Sequence, residues 1–345
     1  MTAAATVPKV AIFGAGAIGL WLAAEFALRG IPATLIARPK RVAEINREGL
    51  RYEAIDMRGR VEKSLHIVPA DAPLSVLTAA AARDTGATFD VLLLAVKSQQ
   101  ILPSLPEIAP LLTPDTLIVC LQNGIPWWYF QGTTNVPLKC LDPDNAIPTV
   151  LPPERVLGCV IYKAAESLAP NQVTVRCASG DRLMLGSPLP GHASKGETAT
   201  IDVLRTAGVN PQKSDDIRRD VWEKLMGNAV LNPVSALTWA KTDAIVNFAP
   251  TRDLAIACMQ EAYAVAKAHG VTLKTSPLER LERARTVGTF RTSMLQDRER
   301  GRPLEVEGIL GGLLELARLA KTPTPHLQTL YAITALLSRH SEGTP

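Results

Sequence analysis

The stretch KVAIFGAGAIGLWLAAEFALRGIPATLIAR, residues 9–38, decides the fold. Its first five residues form a short apolar run that is typical of a buried strand. Ala17–Arg29 has the composition of a helix, and Gly30 follows it as a C-cap. A second apolar run occupies 33–37. Strand, tight turn, helix and strand in this order predict the start of a doubly wound α/β sheet.

The remainder of the chain has two parts that differ in their pattern of apolar residues. Continuous apolar runs at 90–96 and 116–121 indicate further strands buried on both faces of a parallel sheet. Short segments between 157 and 187 predict antiparallel strands that close one side of the sheet. From 214 onward apolar residues recur at helical spacing. We therefore predict a Rossmann-type α/β domain over 1–213 and an all-helical domain over 214–345.

Composition excludes several classes of protein. The chain has 345 residues, 47% hydrophobic and 20% charged, as in a globular protein, and the basic residues behind its net charge of +4 form no nucleic-acid-binding stripe. Five cysteines without a CxxC pair favour a reducing, cytoplasmic compartment, and the five dispersed histidines predict no metal site. The apolar stretch 10–28 is long enough to span a bilayer, but it contains Glu25 and three glycines, so we expect no membrane segment.

A nucleotide site is predicted at residues 14–19, GAGAIG, which match GxGxxG between a strand and a helix. Gly14 permits the tight turn, Gly16 lets the backbone approach a pyrophosphate, and Gly19 allows close helix–strand packing. The helix N-terminus, at Ala17 and Ile18, supplies N–H groups for the phosphates. The alternative interpretation is a glycine turn that binds no ligand.

The end of the second strand bears on the choice of cofactor. NAD enzymes usually carry an acidic residue there, which binds the ribose hydroxyls. This chain has no acid between Ile31 and Arg41, and it has Arg38, Lys40 and Arg41 instead. A guanidinium can bind a 2′-phosphate through two charge-assisted hydrogen bonds. We therefore expect NADPH rather than NADH, the alternative being a solvated basic loop.

The segment WEKLMGNAVLNPVSALTW, residues 222–239, concentrates polar groups on one helix face. Lys224, Asn228 and Asn232 are four residues apart, so they span an arc of about 80° on a helix. Pro233 disfavours helical geometry at Asn232, which predicts a helix end or a kink there. The face is either a polar solvent face or a ligand-binding one. Asparagine is a poor residue for a helix interior, which favours the second interpretation.

These motifs together closely resemble the ketopantoate reductase (2-dehydropantoate 2-reductase) family over nearly the whole chain. The resemblance rests on GAGAIG and the Lys224/Asn228/Asn232-Pro233 helix, and on the spacing of 12 residues between Ser293 and Glu305. Further matching motifs are VKSQQ at 96–100, QNG at 122–124, TSMLQD at 292–297 and PTP at 323–325.

The resemblance implies roles for individual residues. Lys224 would be the general acid, and Glu305 would support that lysine and contact the substrate. The substrate-binding residues implied are Asn228, Asn232 and Ser293. The cofactor-binding residues implied, beyond the glycine turn, are Arg38, Lys97, Gln100 and Asn123. The family fold implied is a Rossmann domain followed by a helical domain similar to that of 6-phosphogluconate dehydrogenase, with the active site in the cleft between them. The pathway implied is pantothenate biosynthesis.

The chemistry agrees with these roles. Hydride addition to a ketone generates an alkoxide, which an ammonium can stabilise and protonate. A neighbouring carboxylate keeps that ammonium charged, and no metal is needed. We therefore predict NADPH-dependent reduction of a 2-oxo acid, with ketopantoate the first candidate, by an enzyme whose apolar C-terminal helices favour a homodimer.

Three features depart from the family pattern. Four consecutive aromatic residues occupy 127–130, where they either reshape the pocket or pack as core. Phe290 and Thr242 stand where some biosynthetic members have asparagine. These departures leave open a paralogous NADP-dependent hydroxy-acid dehydrogenase with another substrate. A non-enzymatic nucleotide-binding protein is a third possibility, but it has no use for the proton donor Lys224 and its partner Glu305.

Overall fold

The computed structural model describes residues 7–342. The chain forms two compact units. The first unit comprises Met1–Gln122, Gln131–Thr134 and Ile147–Ile217, and the second comprises Asn123–Phe130, Asn135–Ala146 and Arg218–Pro345. This division differs from the boundary expected at residue 213, because two segments from the first half of the chain belong to the second unit.

Twelve strands lie in the first unit of the described chain. They are β1 (Val10–Phe13), β2 (Ala33–Ile36), β3 (Leu50–Ile55), β4 (Val61–Ile67), β5 (Leu74–Leu77), β6 (Val91–Leu94), β7 (Leu117–Cys120), β8 (Val156–Tyr162), β9 (Ala164–Ala169), β10 (Gln172–Arg176), β11 (Arg182–Gly186) and β12 (Pro211–Lys213). The four-residue runs β1, β6 and β7 are buried throughout, as expected for strands covered on both faces.

The main sheet has the order β12-β11-β8-β7-β6-β1-β2-β5. Six adjacent strands, β8, β7, β6, β1, β2 and β5, are parallel to one another. Val10 of β1 lies opposite Ala33 of β2 and Val91 of β6. The order reverses at β1, which has β2 on one side and β6 on the other. The predicted doubly wound sheet and the helical character of the second unit are confirmed.

One part of the strand prediction is wrong. Of the segments expected to close one side of the main sheet, β11 does so, antiparallel to β8, whereas Gln172–Arg176 does not. That strand, β10, pairs with β3 and β9 in a separate four-stranded sheet, β4-β3-β10-β9. The alternation of buried and less buried residues in β3 and β10 indicates strands but not which strands they pair with, and β4 is mostly exposed.

Thirteen α-helices occur in the described residues. They are α1 (Ala17–Leu28), α2 (Pro39–Glu48), α3 (Ala79–Asp84), α4 (Ser98–Ile108), α5 (Ile147–Val150), α6 (Glu197–Thr206), α7 (Ile217–Thr238), α8 (Thr242–Asn247), α9 (Ala249–Ala268), α10 (Pro277–Val287), α11 (Ser293–Glu299), α12 (Gly312–Leu319) and α13 (Pro325–Glu342). A π-helical turn, Glu307–Gly311, precedes α12. Within the described chain, no helix is long and apolar enough to cross a membrane.

Helix α1 explains why the apolar stretch 10–28 resembles a membrane segment. It is buried on nearly every side because it contacts β1 and β2 of the main sheet and also β3, β9 and β10 of the smaller sheet. A helix covered on all sides needs apolar residues all round. Its charged residue, Glu25, accepts hydrogen bonds from Tyr52 Oη at 2.7 Å, Trp21 Nε1 at 3.2 Å and Arg29 Nη1 at 2.6 Å.

Helix α7, with 22 residues, is the longest helix in the described chain. It runs without a break through Pro233 to Thr238, so Asn232 lies inside the helix and not at its end. Tertiary packing overrides the local preference, since Asn232, Val234 and Ser235 around the proline are all buried.

Candidate active site

The glycine turn between β1 and α1 has the geometry that a dinucleotide needs. Gly14 has a φ of +108°, and a Cβ there would lie 2.9 Å from the Ala95 carbonyl oxygen. A Cβ at Gly19 would lie 1.8 Å from the Gly14 carbonyl oxygen. By contrast, a Cβ at Gly16 would meet nothing closer than 3.9 Å. Gly14 and Gly19 therefore satisfy internal packing, whereas Gly16 leaves open space at the helix N-terminus, where a pyrophosphate binds in this motif.

The basic residues after β2 differ in their exposure and contacts. Arg38 is the N-cap residue of α2, and it is exposed, as is Lys40. Arg41 is half-buried and donates from Nη1 to the carbonyl oxygen of Pro170 at 2.7 Å. Arg38 is thus available at the carboxyl end of β2, next to the glycine turn that follows β1.

Residues after β6 and β7 lie at the same edge of the sheet. Lys97 is the N-cap residue of α4, and its backbone N–H donates to Oε1 of the exposed Gln100 at 3.1 Å. Gln122 follows β7 and donates from Nε2 to the carbonyl oxygens of Leu94 at 2.7 Å and Val96 at 2.9 Å. The QNG motif by itself indicates no role for Gln122. In the structure, its side chain fixes the segment that leads into Lys97.

In the second unit the structure joins two of the predicted site residues. Nζ of the half-buried Lys224 donates to Oδ1 of Asn123 at 2.7 Å. An amide oxygen accepts from an ammonium without adding charge, so this contact orients the lysine. The resemblance implies a place for Asn123 at the cofactor. Here it contacts the predicted general acid.

The segment that carries Asn123 is held against the segment that carries Glu305. Gly124 has a φ of +83°, and a Cβ there would lie 2.0 Å from the carbonyl oxygen of Gly308. That same oxygen accepts a hydrogen bond from the Ile125 N–H at 2.7 Å. Gly308 belongs to the π-helical turn, and such turns occur frequently at functional sites. Glu305, which is only 8% exposed, lies three residues before Gly308.

The amide residues of α7 differ in their surroundings. Asn228 is half-buried, whereas Asn232 is 4% exposed. Nδ2 of Asn232 is buried and has no hydrogen-bond partner among the residues that the structure describes. A buried donor without a partner costs about 1–3 kcal/mol, so Asn232 points to a ligand that supplies the missing acceptor.

Two hydroxyls connect α7 to the start of α11. The Ser235 and Thr292 hydroxyls are in contact, both buried, and Ser235 also donates to the Asn232 carbonyl oxygen at 2.8 Å. Thr292 caps α11 by accepting from the Leu295 N–H at 3.2 Å. The first residue of that helix is Ser293, which is exposed. The predicted substrate residues Asn232 and Ser293 are therefore brought to one region by Ser235 and Thr292, for which the sequence indicates no role.

The aromatic run 127–130 packs as core. All four side chains are at most 7% exposed. Tyr129 Oη accepts from Nε1 of Trp222 on α7 at 2.7 Å, and the Tyr129 ring meets Phe130 edge-on at 5.0 Å. Of the two open alternatives, the structure favours packing, and the run supports the start of α7 just before Lys224.

The hydroxyl of Thr242 is occupied by the backbone. It donates to the carbonyl oxygen of Gly288 at 2.8 Å, and it also accepts from the Phe290 N–H at 3.2 Å. Thr242 therefore fixes the turn that carries the half-buried Phe290. Neither residue presents a free side-chain hydrogen-bonding group to a substrate.

The described residues give little support to metal-dependent or thiol-based catalysis. No group of three or more histidine, cysteine, aspartate or glutamate side chains there has metal-binding geometry. All five cysteines are free, and burial raises the pKa of the Cys258 thiol to about 12. A thiol with so high a pKa is a poor nucleophile near neutral pH.

The chain has a GxGxxG turn at the point where its doubly wound sheet reverses its order. It also has a helical unit with an oriented lysine. Together these features define a Rossmann-type oxidoreductase. Comparison with known proteins makes the class narrower. Residues 10–188 match the family described as Ketopantoate reductase PanE/ApbA, and residues 216–338 match its C-terminal counterpart, Ketopantoate reductase PanE/ApbA C terminal. The chain belongs to the ketopantoate reductase family.

Individual relatives agree with this assignment. A 2-dehydropantoate 2-reductase from Mesorhizobium japonicum is 40% identical over 336 residues, which cover 96% of this chain and 97% of the relative. The crystal structure of a 2-dehydropantoate 2-reductase from Geobacter metallireducens superposes with a TM-score of 0.79 at 26% identity, covering 95% of this chain and 99% of the other. A D-mandelate dehydrogenase with NADH and anilino(oxo)acetate shares the fold, with a TM-score of 0.79 at 20% identity, covering 97% and 99%.

Proposed function

We propose that the protein reduces a 2-oxo acid to the 2-hydroxy acid with NADPH, and that ketopantoate is its substrate. The observation that carries the proposal is the arrangement on α7. An ammonium is oriented by an amide oxygen at 2.7 Å, and a buried amide donor without a partner lies two turns along the same face. Such a face suits a small molecule that has a carbonyl to be protonated and a further acceptor to be bound.

The roles of the side chains follow from their chemistry. Lys224 donates a hydrogen bond to the substrate carbonyl oxygen and transfers its proton as negative charge develops there. Asn123 orients the lysine. Asn232 donates to an acceptor on the substrate, and Asn228 and Ser293 complete the polar surface. Glu305, 8% exposed, supplies the negative charge that keeps an ammonium protonated in a partly buried site.

The first unit suits NADPH. Gly14, Gly16 and Gly19, with the N–H groups of Ala17 and Ile18, suit the pyrophosphate. Arg38 suits the 2′-phosphate, since it is exposed at the carboxyl end of β2 and no carboxylate lies nearby in sequence. Lys97 and Gln100 suit the nicotinamide end. NADPH, when bound, supplies the hydride.

A substrate panel tests the proposal directly. The purified protein is mixed with NADPH and either ketopantoate, 2-oxoisovalerate or 2-oxopantolactone, and the loss of NADPH absorbance is followed. We expect turnover of ketopantoate with a measurable specificity constant. Absence of turnover at millimolar ketopantoate, in a folded protein that still binds NADPH, contradicts the choice of substrate.

The second candidate is a paralogous hydroxy-acid dehydrogenase acting on a less hydroxylated 2-oxo acid. The observation that favours it is the Thr242 hydroxyl, which the backbone of the turn at 288–290 already occupies. A substrate hydroxyl would then lack a partner, and buried polar groups without partners are costly. In the same panel, a higher specificity constant for 2-oxoisovalerate than for ketopantoate supports this candidate.

We also propose a cytoplasmic homodimer. The apolar C-terminal helices leave several large side chains exposed, among them Ile333 and Leu336 on α13. Exposed apolar residues on a helix favour association with a second copy. Sedimentation equilibrium at micromolar protein gives the mass directly, and a mass of one chain contradicts the dimer.

A further inference from the structure

A tyrosine on the last helix, α13, contacts the π-helical turn that follows Glu305. Tyr331 Oη donates to Oε1 of Glu307 at 2.9 Å, and Glu307 is the first residue of the turn. Burial and the neighbouring Glu307 carboxylate raise the pKa of Tyr331 to about 12. The phenol therefore keeps its proton near neutral pH and remains a hydrogen-bond donor to Glu307.

The Glu307 side chain lies along the π-helical turn itself. A Cβ at Gly311, the last residue of the turn, would lie 2.2 Å from Oε2 of Glu307. One carboxylate oxygen thus lies over Gly311, while the other accepts from Tyr331. Turns of this kind are rare, and a hydrogen bond to an ionised group is stronger than one between neutral groups. We therefore expect the contact with Tyr331 to hold the turn in its geometry.

The same turn holds the segment that orients the predicted general acid. The Gly308 carbonyl oxygen accepts from the Ile125 N–H at 2.7 Å. A Cβ at Gly312, just after the turn, would lie 2.9 Å from the Ile125 Cβ, so Ile125 packs directly on the helix backbone. Two residues before Ile125, Asn123 accepts from Lys224 Nζ at 2.7 Å. A movement of the turn is therefore transmitted to the lysine through a short, hydrogen-bonded segment.

We propose that Tyr331 and Glu307 are positioning residues for Lys224. Their hydrogen bond fixes the π-helical turn, the turn fixes the segment 123–125, and that segment orients the ammonium. A misplacement of about 1 Å at a reacting group can cost about 100-fold in rate, so the pair should act on kcat. This inference rests on the proposed function, in which Lys224 is the proton donor.

The first test removes the donor and keeps the aromatic ring. Tyr331→Phe is expected to lower kcat about 3- to 30-fold on a 2-oxo acid that the parent turns over, the range for changes that act through a contact network. The dissociation constant for NADPH should stay within about twofold, because the contacts to its phosphates lie elsewhere. Tyr263→Phe, which removes the same atom from a half-buried tyrosine on α9, is the matched control and should keep the parental kcat.

A double-mutant cycle distinguishes positioning from a general loss of stability. If the pair acts through Asn123, Tyr331→Phe should lower kcat by less than about twofold in an Asn123→Ala background. Glu307→Ala should resemble Tyr331→Phe, and the variant that combines both changes should be no slower than either alone. Glu307→Gln keeps an acceptor oxygen for the phenol, so it should lose less activity than Glu307→Ala.

Hydrogen exchange measures the same connection without a substrate. The Ile125 N–H is bonded to the turn that Tyr331 holds, so Tyr331→Phe should speed exchange in the peptide that contains Ile125. Peptides from β1 and α1, in the first unit, are the internal reference and should exchange at the parental rate.

The outcomes separate positioning from a structural role. A parental kcat in Tyr331→Phe, or an equal loss of kcat with and without the Asn123 amide, means that the hydrogen bond does not position Lys224. A lower melting temperature with parental kcat and parental exchange at Ile125 makes Tyr331 a structural residue of α13. If the parent reduces no 2-oxo acid, the proposed function fails, and exchange at Ile125 still decides whether Tyr331 fixes the segment, an unchanged rate overturning the inference.

Discussion

Lys224 has its chemical role only if its ammonium is both oriented and able to give up a proton. The hydrogen bond to Asn123 Oδ1 at 2.7 Å provides the orientation. We expect Lys224→Ala to lower kcat by about 10² to 10⁴, the usual contribution of a general acid. The dissociation constant for NADPH, measured by fluorescence titration, should be unchanged, because the nucleotide site is built from other residues.

Lys267→Ala provides the matched control for Lys224, since this lysine is exposed near the end of α9. Its kcat should equal that of the parent. A Lys224→Ala enzyme that turns over at nearly the parental rate rules out the lysine as proton donor.

Arg38 is predicted to determine the preference for NADPH. Arg38→Ala removes the guanidinium from the carboxyl end of β2 and should weaken NADPH binding by about 1.5–3 kcal/mol. NADH lacks the 2′-phosphate, so its affinity should hardly change and serves as the internal control. Calorimetric titration of both cofactors measures the difference in their affinities. Equal use of NADPH and NADH by the parent protein contradicts this prediction.

At the scale of elements, the contact between the segment that follows β7 and the π-helical turn depends on Gly124, which packs against the Gly308 carbonyl. Gly124→Ala introduces strain at a φ of +83° and a Cβ 2.0 Å from the Gly308 carbonyl oxygen. The turn must move, and Asn123 moves with it. We therefore expect losses of both thermal stability and kcat.

Gly59→Ala is the control for this prediction, because Gly59 has a φ of +84° and no atom lies within 4 Å of the position that a Cβ would take there. It carries the same backbone strain, about 1–2 kcal/mol, without the clash. The difference between the two variants in melting temperature isolates the contact with Gly308. Equal melting temperatures and equal kcat values for the two variants mean that the contact does not position Asn123.

At the scale of the whole molecule, the second unit depends on segments from the first half of the chain. Trp127–Phe130 are buried in it, and Tyr129 supplies the acceptor for the buried Trp222 indole. A fragment of residues 214–345 lacks these aromatic side chains, each of which buries about 150–250 Å². We expect the fragment to show no cooperative thermal transition by circular dichroism, whereas the full chain does. A cooperative transition in the fragment would contradict this dependence.

Some features are accessible from the sequence because they are local. The glycine turn, the parallel strands and the helical second half follow from spacing, apolar runs and helical periodicity. Lys224 and Asn228 can be identified because both fall on one helix face. The face also includes Asn232, although the proline after it suggests a helix end that packing overrides.

Other features depend on contacts between residues far apart in the chain, which no local pattern encodes. The four-stranded sheet joins β3 to β10, whose residues are about 120 positions apart, and such pairings leave only a weak alternation in each strand. The contacts of Gly124 with Gly308 and of Asn123 with Lys224 are equally non-local. The sequence by itself determined the fold class and most of the candidate chemistry. Only the tertiary structure decided which buried donors lack a partner and which loop orients the lysine, because these depend on how distant segments pack.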